Sequence, residues 1–318
     1  MRTLITGGHG FLGGRLGVYF SNNGHDVILG SRKNRENPSW LPNAKNVTMD
    51  WNSIENLSRN LEGIELVIHT SGMNSIDCEL NPSQALKING VGTDNLAKAA
   101  ARNGVKNFIY ISTAHVYSNP LEGKINEMSI TKNSHPYATS HLAGESAIIE
   151  IAKKSAMNTL ILRLANAFGY PVQAGVNCWN LLVNEICREI IVNQRITIKT
   201  NGQQKRNFIN IHDLNKIIFS LVNKMSDNDL PRIINVGVEK SISVYEMAKF
   251  IQSRSTRVLG FDPIIKIHEN IPRKPTNDLI FESLNFDLYK NYLDENNSQI
   301  EIDTLLTRCK EWFQTSDD

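Results

Sequence analysis

Four side chains have the types and spacing for proton chemistry. The run Ser112-Thr113-Ala114-His115-Val116-Tyr117 follows the β-branched stretch 107–111, and Pro136-Tyr137-Ala138-Thr139-Ser140-His141 opens a helix-like segment. The i, i+4 spacing of Tyr137 and His141 puts both on one helix face. A hydroxyl, a phenol and an imidazole converging there would exchange protons with a bound substrate, and His115 adds a second imidazole as general acid or base. A role for His115 as mere pocket lining stays open.

A binding loop precedes them. Thr6 to Gly13 reads T-G-G-H-G-F-L-G between the apolar Leu4-Ile5 and the helix-like 14–22. Gly7, Gly10 and Gly13, with Phe11 and Leu12 between them, would let bare backbone N–H groups approach a pyrophosphate at a helix N-terminus. Glycine-rich turns also end strands for steric reasons alone, so the later segments must decide. Ser31 and Arg32 occupy the slot where an NAD binder often carries an acidic residue. A guanidinium there pairs with a 2′-phosphate, which favours NADP, with NAD as the alternative. Asp50 and Trp51 are candidates to meet the adenine, although Trp51 also suits ordinary packing. Thr70, Ser71 and Gly72 are small enough for a cofactor to pass above the sheet, and Asn89 is a polar residue in an alanine- and leucine-rich segment.

The elements that must position these residues alternate. β-branched runs at 3–5, 26–29, 47–49, 66–69, 107–111 and 159–162 are separated by helical periodicity at 14–22, 82–102 and 137–156. Such βαβα order predicts an α/β fold with a doubly wound, mainly parallel sheet, whose ligands sit beyond the C-terminal strand ends. Further on, 177–193 predicts an amphipathic helix with Trp179, Leu182, Val183, Ile186 and Ile190 on its apolar side. Helices are also expected at 211–224, at 243–254 behind the capping-box-like Ser243 to Glu246, and at 303–313, with a strand at 233–237.

Composition narrows the partners. The 318 residues carry 34 Lys and Arg against 32 Asp and Glu, a net charge of +2, which argues against charge-driven binding to nucleic acid or a membrane surface. No apolar stretch approaches the roughly 20 residues needed to cross a bilayer. The first strand leaves no room for a signal peptide, so a cytoplasmic enzyme with a small-molecule partner is expected. Cys78, Cys178, Cys187 and Cys309 lack metal or redox spacing, and no metal site is expected.

Together these motifs resemble the extended short-chain dehydrogenase/reductase family, in its NAD(P)-dependent nucleotide-sugar epimerase, dehydratase and reductase branch. The likeness rests on Thr6 to Gly13, Ser112 to Tyr117, Pro136 to His141, L-R-L-A-N-A-F-G at Leu162 to Gly169, R-N-F-I-N-I-H-D at Arg206 to Asp213 and I-N-V-G at Ile234 to Gly237. It implies a Rossmann-type domain over 1–165 and roughly 211–236, and a smaller α/β nucleotide-sugar-binding lobe over roughly 166–210 and 237–318. Thr113 and Tyr137 match the family's hydroxyl pair, in which the Tyr exchanges the proton while nicotinamide exchanges the hydride. A lysine normally follows four residues after the Tyr, binds the nicotinamide ribose and lowers the phenol's pKa; here His141 stands there. Three outcomes follow: a working enzyme with a partly protonated His141, a slow enzyme with a retained cofactor, or a sensor or scaffold that binds cofactor and sugar nucleotide without turnover. The resemblance also implies Asn74, Asn166, Arg206 and Arg273 as substrate contacts beside Thr113 and His115, Ala165 near the nicotinamide, and a homodimer. A 4,6-dehydratase would need an Asp-Glu pair at Ala114-His115 and is not expected. Hydride transfer at a ring carbon, chiefly C4, by a reductase or epimerase is the expected function.

Overall fold

Short runs of Leu, Ile and Val with few charges form the strands of a seven-stranded sheet: β1 (Arg2–Thr6), β2 (Asp26–Ser31), β3 (Lys45–Thr48), β4 (Leu66–His69), β5 (Asn107–Thr113), β6 (Asn158–Leu164) and β7 (Ile233–Val236). The chain is seen in a computed structural model that describes residues 1–226, 230–267 and 278–314. All strands are parallel and lie in the order β7-β6-β5-β4-β1-β2-β3. β1 and β4 are buried almost throughout, as strands covered on both faces must be, which matches the apolar Leu4-Ile5 and Leu66-Val67-Ile68 at their centres. The chain winds outward from β1 to β3, then returns to the other side of β1 at β4. That reversal opens a crevice at the C-terminal ends of β1 and β4, where Thr6 pairs in register with His69.

Three helices carry most of the site. Helix α1 (Phe11–Asn22) follows the glycine loop, and α2 (Thr93–Arg102) and α3 (Pro136–Lys154) flank the strand ends. The helix expected over 82–102 is not continuous: Pro82–Ala85 is α-helical, Leu86–Gly92 is a π-turn, and α2 follows. The widened turn frees the Asn89 carbonyl to accept the Thr93 hydroxyl at 2.7 Å, a local hydrogen bond that no hydropathy pattern announces.

By its contacts the chain divides into one unit of Met1–Pro120, Glu127–Leu164 and Ile218–Val236, and a second of Leu121–Asn126, Ala165–Ile217 and Gly237–Asp318. The first holds the whole parallel sheet. Two boundaries differ from those expected: the segment Leu121–Asn126 joins the second unit because Gly123–Ile125 pairs with Leu279–Phe281, and the helix Ile211–Asn223 is divided within its length. The second unit packs helices Leu182–Asn193, Val244–Leu259 and Glu295–Phe313 around Phe168, Ile186, Met247, Ile251, Ile302 and Leu306. The first of these begins later than the periodicity predicts. Trp179 instead lies in the preceding turn, donates to the Ala174 carbonyl at 2.9 Å and packs edge-on against Phe313. Ser243 and Glu246 form the expected reciprocal capping box, while the last helix starts earlier than expected, capped by Asp294. Among the described residues no helix is long and apolar enough to cross a membrane.

Candidate active site

The glycine loop is a cradle that side chains would fill. Gly7 has φ +66°, and a Cβ there would come within 2.8 Å of Thr70 Oγ1 and 3.1 Å of the Ser71 nitrogen. A Cβ on Gly13 would run into the Gly7 carbonyl, which instead accepts the Gly10 N–H at 2.7 Å. Gly10 begins α1 with no side chain capping it and no acidic residue in the first turn, so the opening N–H groups of Phe11 and Leu12 suit an anion. These residues fit the pyrophosphate of a dinucleotide.

The floor of the crevice is a hydrogen-bonded chain. Thr70 and Ser71 donate their N–H groups to Thr6 Oγ1, whose proton goes to Nδ1 of His69 at 2.7 Å. His69 Nε2–H donates to Thr93 Oγ1 at 2.9 Å, and Thr93 donates onward to the Asn89 carbonyl. The donors and acceptors balance only for neutral His69, and full burial depresses its pKa to about 3. Thr70 Oγ1 also donates to the Thr6 carbonyl at 2.6 Å, locking the two loops together.

Thr113, Tyr137 and His141 meet at the end of β5. Thr113 is 6% exposed and its hydroxyl accepts the His115 N–H at 3.1 Å, which turns the backbone into Ala114–Val116. The same hydroxyl lies beside the half-buried phenol of Tyr137; desolvation outweighs its influence and pushes the phenol's pKa up to about 12. The Tyr137 and His141 rings stand edge to face, centroids 4.5 Å apart. His141 is buried, and desolvation lowers its pKa to about 4, so it is neutral near pH 7. Burial thus works against the partly protonated imidazole of the first reading. Nδ1 of His141 lies 3.0 Å from the hydroxyl of Tyr110 on β5.

A buried ion pair holds α3 against the sheet. Glu145 accepts from Arg163 at 2.7 Å and from the Ser112 hydroxyl at 2.5 Å, and Arg163 also donates to Tyr117, which donates to Asn235. The motifs alone do not single out Glu145, Arg163 or Tyr110. The available signal is spacing, because Glu145 continues the Tyr137, His141 series at four-residue intervals into an otherwise apolar face.

Several expected contacts serve the protein itself. Asn89 is buried, accepts the Met73 N–H at 2.8 Å and donates to Ser140 at 3.0 Å, so it ties the loop after β4 to α3. Trp51 packs in the core beside His69, which realises the packing alternative. Asp50 is exposed and caps the Asn52 N–H. Asn74 caps the helix Ser75–Leu80 through the Asp77 N–H and also donates to the Asp77 carboxylate. The Ser31 hydroxyl closes a turn on Lys33, while Arg32 is exposed. In the second unit, Ala165 is buried, Asn166 pairs with the Asn207 carbonyl at 3.0 Å, and Arg206 is a half-buried guanidinium with no ion pair among the described residues. Arg273 lies outside the described residues.

A parallel sheet with a reversal at β1, a glycine cradle and a Thr–Tyr pair at a strand end define a dinucleotide-dependent oxidoreductase scaffold. The chain belongs to the NAD dependent epimerase/dehydratase family, whose pattern matches residues 3–237. It is 27% identical over 263 residues to mouse dTDP-D-glucose 4,6-dehydratase, covering 78% of this chain and 71% of that protein. It is also 27% identical over 290 residues to CDP-paratose 2-epimerase of Salmonella typhi, covering 79% and 84%. Its fold matches that of UDP-glucose 4-epimerase from Thermotoga maritima with TM-score 0.79 at 20% identity, over 98% and 99% of the two chains.

Proposed function

We propose that the chain is an NAD(P)-dependent oxidoreductase or epimerase of a nucleoside-diphosphate sugar, acting at a ring carbon, C4 first among them. The meeting of Thr113, Tyr137 and His141 beside the cradle carries this reading. A nicotinamide dinucleotide bound at the cradle supplies the hydride. Thr113 hydrogen-bonds the sugar oxygen, and Tyr137 exchanges its proton with that oxygen. With a pKa near 12, Tyr137 holds its proton at neutral pH and is poised to donate to a ketone, whereas oxidation requires the scarcer phenolate. A protonated Tyr137 is the form that carbonyl reduction starts from. His115, next to Thr113, serves as a second acid or base in any epimerisation.

NADP(H) is the proposed cofactor, because no carboxylate stands at Ser31 and the exposed Arg32 offers a fork to a 2′-phosphate. Arg206 is assigned to the diphosphate and Asn166 to the sugar, and α2 and α3 to the contact between two copies. The dehydratase among the relatives does not set the reaction, since Ala114 and His115 stand where that chemistry needs Asp and Glu. A neutral His141 favours one other reading, a protein that binds cofactor and sugar nucleotide with little turnover.

The test is NADPH and NADH consumption with a panel of 4-keto and 4-hydroxy sugar nucleotides, together with mass spectrometry of the co-purifying ligand. Turnover with NADPH preferred by about tenfold, and the preference abolished in Arg32→Glu, is expected. Tightly held, non-exchanging NAD would overturn the reductase, and cofactor binding without turnover on any sugar would favour the sensor.

A further inference from the structure

Tyr110 sits behind the site rather than in it. It is fully buried on β5, stacked on His69 with centroids 5.6 Å apart, and its hydroxyl reaches Nδ1 of His141 at 3.0 Å. α3 can approach that hydroxyl only because residue 144 is glycine: a Cβ there would stand 2.6 Å from the Tyr110 oxygen and 2.7 Å from the Asn89 carbonyl. The direction of the hydrogen bond follows from counting protons. Thr93 also lies near the phenol, but its own proton is committed to the Asn89 carbonyl and its oxygen takes the His69 Nε2–H. His141 Nδ1 is thus the one partner at good geometry for the Tyr110 proton among the described residues. If Nδ1 carried a hydrogen instead, the phenolic O–H would have to turn from this 3.0 Å contact to the Thr93 oxygen, which already takes the His69 Nε2–H.

We propose that Tyr110 is the positioning residue of His141: its hydroxyl donates to Nδ1, fixes the imidazole in the Nε2–H form and so makes it a neutral donor to a ligand oxygen. The Cε1 edge beside Nε2 lies 3.9 Å from where a Cβ on Gly72 would stand, so it borders the loop after β4. Burial keeps both partners in the required state, raising the Tyr110 pKa well above its ordinary value and lowering that of His141. The inference rests on the assignment of the cradle to a dinucleotide only in naming the ligand; the hydrogen bond exists without it.

Long-range ¹H–¹⁵N correlation spectra of the full chain without cofactor read the form directly, with the His141 signal assigned by its loss in His141→Phe. The Nε2–H form is expected to dominate by about tenfold or more in the wild type. In Tyr110→Phe that ratio collapses and the dissociation constant for NAD(P)H rises about fivefold, while in a His141→Phe background the same change leaves the constant within about twofold. A dominant Nδ1–H form or a protonated ring in the wild type overturns the proposal, as does an unchanged ratio in Tyr110→Phe. Should Tyr110→Phe fail to fold, the wild-type spectrum alone decides. Absence of turnover with every sugar nucleotide would refute the enzymatic reading, whereas the tautomer seen in the spectrum would still decide the role of Tyr110.

Discussion

At the scale of single residues, the chemistry reduces to where protons reside. Tyr137 keeps its proton to a pKa of about 12 and His141 loses its own below neutrality, so the pair offers one mobile proton and no positive charge near pH 7. Removing the phenol's oxygen in Tyr137→Phe is expected to lower kcat for keto-sugar reduction by about 10²–10⁴-fold with cofactor affinity kept, as read by steady-state kinetics and fluorescence titration. Burial of neutral imidazoles also links stability to pH. His141 and His69 have folded pKa values of about 4 and about 3 against an ordinary 6.5, so the unfolded chain binds more protons between those limits. Stability is fully present above pH 6.5 and falls as pH drops towards 4, with a slope of about 1.4 kcal/mol per pH unit for each histidine. Urea unfolding at stepped pH measures this, and a flat profile from pH 7 to 4 would contradict the burial of both rings.

At the scale of elements, two devices hold the site in shape, and they differ in how readable they are. The glycine loop is legible once the later motifs stand beside it, and the close approach at Gly7 and Gly13 is what its spacing implies. Gly13→Ala should abolish dinucleotide binding in calorimetry with α1 still formed by circular dichroism. The Glu145–Arg163 pair is not legible, since a Glu in a helix and an Arg in a strand only become partners once α3 lies on β6. Breaking it from one side in Arg163→Met should cost about 3–5 kcal/mol by denaturant unfolding, because the carboxylate is left buried without a counter-charge. The same limit explains Asn89 and Asn74: residue type marks them as polar, but the partners their side chains meet, Ser140 and the Asp77 N–H, are set by backbone geometry. Helix starts at 182 and 295 also escape the periodicity, which reports an apolar face and not the residue that caps it.

At the scale of the whole molecule, the alternation of β-branched and helical segments is enough to predict the parallel sheet, and the strand order adds the reversal at β1 that puts a crevice beside the cradle. The Thr113–Tyr137 pair emerges from two motifs distant in sequence because both lie at strand or helix ends facing that crevice. The second unit carries weaker signals, as its strands run only two to four residues and its core is built by three helices. The proposed reaction of this assembly moves hydride between a nicotinamide and a sugar carbon. It is tested most directly by supplying nicotinamide cofactor deuterated at C4 with 4-keto sugar nucleotides and locating the label by mass spectrometry and NMR. Deuterium on the ring carbon, lost in Tyr137→Phe, is the predicted result; cofactor bound at the cradle with no label transferred to any sugar would contradict it.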